Sequence, residues 1–431
     1  MMSKELAQMT GAAVRAHSLP LGQGCEWLDD VVWPHYDGLS IANVPASMAA
    51  AFGVTLPGAA PPLDARLWPA ETRARRVVFI VLDGFGYNLL QALRDEPAIA
   101  SAVDAIVGDG VLAPVTSVFP STTASALSTL WTGYPPAGHG ILGTRMLMRE
   151  WGVLMSTLGM ASVGGGSGGE LVRWGMDPSK LIPAQGMASV LAAAGVSTHL
   201  VIQSHLAGSG LSLILHRGID RRNMHGMRSF VDMWVLMDEV MEATRGERCA
   251  VVMYWGGLDA VSHSAGARSK RALAEARAEL HHLRAFVEQW AGRSDETLLI
   301  VLADHGHTDM TENLYHADFP GLASTFRMPF AAEGRARFLF LRDGAREAAR
   351  GHLRRELGGR VMALDAAEAL AAGLFGGGTH HPEAGARVGD MLAICREGVA
   401  LYDPLDHYVY TSQHGALCAD EMLVPLVVRR M

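Results

Sequence analysis

Three apolar runs in this chain each stop at residues able to bind metal ions. VVFIVLDGFG carries Asp83, VVMYWGGLDAVSH carries Asp259 and His263, and LLIVLADHGH carries Asp304, His305 and His307. Near the C-terminus, SQHGAL adds His414. A single aspartate after a strand is ordinarily a helix cap and means little alone. Counted together, Asp83, Asp259, His263, Asp304, His305 and His414 suggest more. Mixed imidazole and carboxylate donors suit Zn first, with Mn or Fe also served, whereas Mg and Ca prefer oxygen alone. The set is too large for one tetrahedral ion. Two divalent ions about 3.5–4 Å apart would use it, and such a pair supports in-line phosphoryl displacement.

That chemistry needs a nucleophile. VFPSTTASALSTLWTG offers Ser121, Thr122 and Thr123 ahead of a helix-like run, where free N–H groups and the positive dipole end favour a phosphate oxyanion. A threonine hydroxyl is a weak nucleophile at neutral pH, and metal coordination lowers its pKa. Without the metal cluster the same residues read as an N-cap. They lie in the longest uncharged stretch, residues 110–144, which is rich in Ser, Thr, Pro and Gly. Buried hydroxyls of that kind must cap a helix, bind backbone or line a pocket.

Short β-branched runs at residues 77–82, 111–118, 198–202, 250–254 and 297–302 predict strands, and residues 230–244 and 270–289 carry helical patterns. Continuous apolar strands alternating with helices predict an α/β fold: a central, mostly parallel sheet sandwiched by helices. In such sheets ligands collect beyond the strands' carboxyl ends, where Asp83, Asp259 and Asp304 would stand. Residues 1–70 read as a lead-in packed on the core and 71–431 as the catalytic domain. A small α+β lobe is expected at about 335–397, from ARFLFLR, AREAARGHLRREL and GDMLAIC. SVGGGSGGE at 162–170 is not followed by Gly-Lys-Ser/Thr and reads as a flexible loop, not a phosphate loop.

Composition narrows the classes. The 431 residues are 49% hydrophobic and 19% charged, which excludes a disordered or collagen-like chain. A net charge of −8 argues against coating nucleic acid. Cys25, Cys249, Cys395 and Cys418 have no CxxC spacing, so no disulfide framework or thiolate zinc cage is expected, and a reducing cytoplasm is the simplest location. The first twenty residues lack an apolar signal core, and no long apolar run predicts a membrane span. Oligomeric state is left open.

VLDGFG, FPSTTASALSTLWTGYPPAGHGILG, LDAVSH, ADHGH and QHGALCADEMLVPLVV, in that order over residues 76–429, resemble the nucleotide pyrophosphatase/phosphodiesterase branch of the alkaline phosphatase superfamily, in its bacterial form. The resemblance implies an alkaline-phosphatase-like fold and a two-metal site. It assigns Asp83, Thr123, Asp304 and His305 to one ion, and Asp259, His263 and His414 to the other. Thr123 becomes the nucleophile, matching the second hydroxyl of the family's FP-T-K-T pattern, with Thr122 in place of the Lys. Ala126 stands where the family carries an Asn that helps hold the phosphoryl oxygen, so recognition of the eukaryotic type does not carry over.

The implied activity is hydrolysis of phosphodiester or pyrophosphate bonds in small, nucleotide-type substrates through a phospho-threonine intermediate. Phosphonoacetate hydrolysis, phosphomonoesterase activity on the same scaffold, and a catalytically silent metal-binding homologue are the alternatives. His307 is a candidate partner behind the ligands. His139 is expected to hydrogen-bond locally, and His281 and His282 to face solvent from the charged helix. Arg145, the first charge after the uncharged stretch, could reach a substrate phosphate or form a surface salt bridge.

Overall fold

The computed structural model describes residues 2–68, 73–208, 210–293 and 296–431, so the 70/71 boundary lies outside the described residues. Seven strands form the central sheet: β1 (Arg76–Leu82), β2 (Val111–Thr116), β3 (Ser197–Gln203), β4 (Met224–Met227), β5 (Cys249–Trp255), β6 (Thr297–Leu302) and β7 (Leu423–Arg430). Their order is β2-β7-β6-β1-β5-β3-β4. Every pair is parallel except the two made by β7, which runs antiparallel to both β2 and β6. All residues of β1 and β6 are buried, as expected of strands covered on both faces.

Helices cover the sheet. The Met2–Ala16 helix (α1) lies along edge strand β2. The Thr123–Thr132 helix (α2) starts at Thr123 and ends at Gly133, whose φ of 77° suits glycine at a helix terminus. The helices Phe230–Ala243 (α3), Gly257–Ala265 (α4) and Lys270–Trp290 (α5) follow. In α5, Ala272, Ala276, Leu280, Leu283, Phe286, Val287 and Trp290 are buried at three- and four-residue spacing, the mark of a helix with one apolar face. His281 on this helix is exposed, whereas His282 is only half-exposed. Its ring lies 5.2 Å from Phe230 and stacks on Trp234 at 6.2 Å, because the helix turns that position toward α3.

A second, antiparallel sheet joins Ala331–Glu333, Ala336–Leu339, Met391–Cys395 and Val361–Asp365. The Arg346–Leu357 helix packs on it through Ala349, Leu353 and Leu357. Among the described residues no helix is long and apolar enough to cross a membrane.

Candidate active site

Strands β6, β1 and β5 are adjacent and parallel at the centre of the sheet, so their carboxyl ends share one edge. Asp83 follows β1 directly, Asp304 and His305 follow β6, and the first turn of α4 after β5 carries Asp259, with His263 one turn later. Because β7 runs the opposite way, its beginning lies at this same edge. The segment leading into β7 brings His414 there. The segment after β2 brings Thr123, and its Ser117 N–H donates to the Met422 carbonyl just before β7.

Side-chain donors converge in two overlapping groups. Ligand atoms of Asp259, His263, His307 and His414 lie within 4.8 Å of one another, and so do those of Asp83, Asp259 and His305. Asp259 belongs to both groups. His305 and His414 stack with ring centroids 3.7 Å apart, which links the two. Asp304 joins the second group through Oδ2, 3.4 Å from His305 Nε2. Thr123 Oγ1 lies 3.1 Å from the same nitrogen. The structure thus gathers Asp83, Thr123, Asp259, His263, Asp304, His305 and His414, but it does not divide them as cleanly as the sequence motifs suggest. His307 is as close as the others: its Nε2 is 2.8 Å from Asp259 Oδ1.

Second contacts aim the imidazoles inward. His263 Nδ1–H donates to the Ser412 carbonyl at 2.9 Å, His414 Nδ1–H to the Ser121 carbonyl at 2.9 Å, and His305 Nδ1–H to the Gly306 carbonyl at 3.1 Å. With Nδ1 protonated, each ring turns an Nε2 lone pair to the centre, the tautomer a metal ligand requires. Buried Asp83 Oδ1 and Asp304 Oδ2 have no hydrogen-bond partner. Buried polar atoms left unpaired in this way are costly unless a ligand satisfies them. Inward lone pairs and orphaned carboxylate oxygens together fit divalent cations.

Charge follows from the same crowding. Burial, with Asp304 and Asp259 close by, holds the Asp83 carboxyl well above the usual range. Burial also pushes Asp304 up to about 7. Asp259 is buried too, but His263 and His307 outweigh that penalty and hold it well below its ordinary value. Burial lowers His307 to about 4.

Sequence reading missed two residues at this site. Tyr254 donates its phenol hydrogen to Asp83 Oδ2. It pairs with Val81 in register, one residue before the end of β5, and that position at a strand's carboxyl end was the available signal. Ser412 contacts His307 Nδ1 through its hydroxyl at 3.1 Å while its carbonyl receives His263. No motif marks it.

Thr123, Asp259, His263 and His414 open onto a cleft of about 700 Å³ that is also lined by Arg145, Arg337, Tyr408 and Tyr410. Arg145 stands on its wall, but its guanidinium is paired with Asp403 at 3.3 Å and Asp406 at 2.5 Å, and Asp406 also receives Arg337. The three Gly164–Gly166 residues of the glycine-rich loop line the same cleft. His139 sits away from it, fully buried between the Thr129 hydroxyl and the Ile141 N–H.

Residues 77–416 match the family described as type I phosphodiesterase / nucleotide pyrophosphatase. No curated protein matches the sequence. Among solved structures, murine ectonucleotide pyrophosphatase/phosphodiesterase 5 is 17% identical and superposes with a TM-score of 0.62, over 81% of this chain and 87% of that one. An inactive variant of it is known in complex with AMP. Phosphonoacetate hydrolase from Sinorhizobium meliloti 1021 is 18% identical, with a TM-score of 0.62 over 88% of this chain and 93% of that one. These likenesses share the fold described above. The chain belongs to the type I phosphodiesterase / nucleotide pyrophosphatase family, and so to the phosphoric ester hydrolases of the alkaline phosphatase superfamily.

Proposed function

We propose that this family member hydrolyses phosphodiester or pyrophosphate bonds in two steps, with Thr123 carrying the phosphoryl group between them. One observation carries the reading. The Thr123 hydroxyl, at the first position of α2, faces His305 Nε2 at 3.1 Å and Asp83 Oδ2 at 3.5 Å, beside buried carboxylate oxygens that have no other partner.

Asp83, Asp304 and His305 would hold one divalent cation and Asp259, His263 and His414 the other, with Zn or Mn suited to the donors. Bound there, two such ions supply Lewis acidity, lowering the pKa of an alcohol or water and drawing charge from phosphoryl oxygens. Thr123 Oγ1 gives its proton to solvent water and attacks phosphorus; the Oγ1–P bond forms as the bond to the leaving oxygen breaks, and that oxygen takes up a proton from water. Water then attacks from the vacated side, and the Oγ1–P bond breaks as the proton returns to Thr123. Free N–H groups in the first turn of α2 favour the charge on the phosphoryl oxygens in both steps. Tyr254 holds Asp83 in place through its hydrogen bond.

Likeness to a phosphonoacetate hydrolase supports a second reading, hydrolysis of a carbon–phosphorus bond. Against it, both arginines of the cleft wall are already paired with Asp403 and Asp406, which leaves them less able to take a substrate carboxylate. A turnover panel of bis-aryl phosphate, aryl nucleotide, aryl monophosphate and phosphonoacetate, run after Zn or Mn loading, ranks these readings by kcat/KM. Acid-quenched turnover should yield a peptide phosphorylated on Thr123. Hydrolysis with the phosphate elsewhere, or no hydrolysis in any arm, would overturn the proposal.

A further inference from the structure

A second cavity meets the cleft at the nucleophile. It lies between the sheet and α2, has a volume of about 190 Å³, and shares Thr123, Leu158 and Asp259 with the cleft. Its walls are apolar: Phe79 and Val81 from β1, Leu200 and Ile202 from β3, and Leu127, Leu130 and Trp131 from α2. Leu206, Leu211 and Leu215 complete the apolar lining. At the mouth Leu158 is 46% exposed, an apolar side chain in water where the two spaces join.

Apart from Thr123 and Asp259 at the mouth, the polar lining consists of Asp83 and Tyr254, which are hydrogen-bonded to each other, and of His216 and Ser212. His216 is buried, its ring set edge-on to Trp131 at 5.1 Å, and its Nδ1 has no partner.

We propose that this cavity receives an apolar group carried on the substrate's phosphorus, so that the enzyme selects aryl or short alkyl phosphoesters over nucleotides. The inference rests on the hydrolase reading above. Size supports it: an apolar cavity of about 150 Å³ holds a benzene molecule, so this one holds a single ring with a small substituent. Polarity supports it further. A purine would bring several ring nitrogens and an exocyclic amine into walls where Asp83 and Tyr254 already bond each other and only His216 and Ser212 remain, leaving most of its polar atoms unpaired. A phenyl ring brings no polar atom that needs a partner. A ring bearing one hydroxyl or carbonyl could also satisfy His216.

Calorimetry on the zinc-loaded protein tests this with three small probes, methylphosphonate, phenylphosphonate and adenosine monophosphate, each checked for hydrolysis during the titration. Phenylphosphonate is expected to bind on the order of a hundredfold more tightly than methylphosphonate, from burial of the ring. Adenosine monophosphate is expected to bind more weakly than phenylphosphonate. Leu127→Trp, which fills the cavity from α2, should bring the phenyl-to-methyl ratio toward one, and Leu127→Ala should admit naphthylphosphonate. Equal affinity for the methyl and phenyl probes, or tighter binding of adenosine monophosphate, overturns the pocket assignment even if bis-aryl phosphate is turned over. A strong phenyl preference without turnover of any ester upholds the pocket and sinks the hydrolase reading instead.

Discussion

Arg335 and Glu421 form a two-pronged ion pair, Nε to Oε2 at 2.8 Å and Nη2 to Oε1 at 2.9 Å, and neither side chain reaches solvent. Arg335 stands between two strands of the antiparallel sheet, and Glu421 just before β7. The Glu421 carbonyl receives the Gly306 N–H, so the pair ties the small sheet to the turn that carries Asp304, His305 and His307. Burial resists ionisation of Glu421, but Arg335 outweighs it and holds the carboxyl below its usual range.

Breaking such a pair strands a buried charge. Glu421→Ala should cost about 3–5 kcal/mol in urea unfolding. Replacing both residues with apolar side chains of similar size should recover much of that loss. A Glu421→Ala protein as stable as the parent would show that the pair is open to solvent.

If Thr123 carries the phosphoryl group, Thr123→Ala should keep its fold and metal content while kcat falls by on the order of a thousandfold or more. Thr122→Ala should lose little, since the Thr122 hydroxyl is buried without any partner. Steady-state kinetics with circular dichroism and elemental analysis distinguish the two variants. The opposite ranking would move the nucleophile by one residue.

Asp259 belongs to one proposed ion but touches both ligand groups, so Asp259→Ala should lose the ion held with His263 and His414 and also weaken the other, whereas His263→Ala should lose chiefly the one nearer α4. Elemental analysis after gel filtration gives the answer. Chelation of the parent should also lower its melting temperature, because ions bound only by the folded state stabilise it and their removal leaves the buried Asp83 and Asp304 carboxyls crowded together without the ion. An unchanged melting temperature would mean that no ion was held.

Burial lowers His139 from 6.5 to about 3. Geometry agrees, since Nδ1 must stay unprotonated to accept the Ile141 N–H at 3.0 Å. With the folded value below the unfolded one, the unfolded chain binds the extra proton between these values. The contribution of His139 to stability is therefore complete above about pH 6.5 and is lost as pH falls toward 3. His139→Gln should show a shallower loss of stability across that window in urea titrations at successive pH values. A slope matching the parent would mean that His139 binds its proton alike in the folded and unfolded chains.

Much of this site was legible in the residues themselves. Apolar runs ending in Asp83, Asp259 and Asp304 could be placed at one edge because parallel strands align their carboxyl ends, a consequence of local patterning alone. Strand direction was not legible. His414 precedes its strand instead of following one, and it reaches the site only because β7 runs antiparallel between β2 and β6. Pairing direction depends on contacts between segments hundreds of residues apart, which leave no periodic trace in either segment. For the same reason the folded chain alone decided that Asp259 touches both ligand groups, that Arg145 is paired with Asp403 and Asp406, and that a ring-sized apolar space lies behind Thr123. Residue type and local spacing set which chemistry was available; distance and burial, fixed only when the sheet closes, set which atoms could take part.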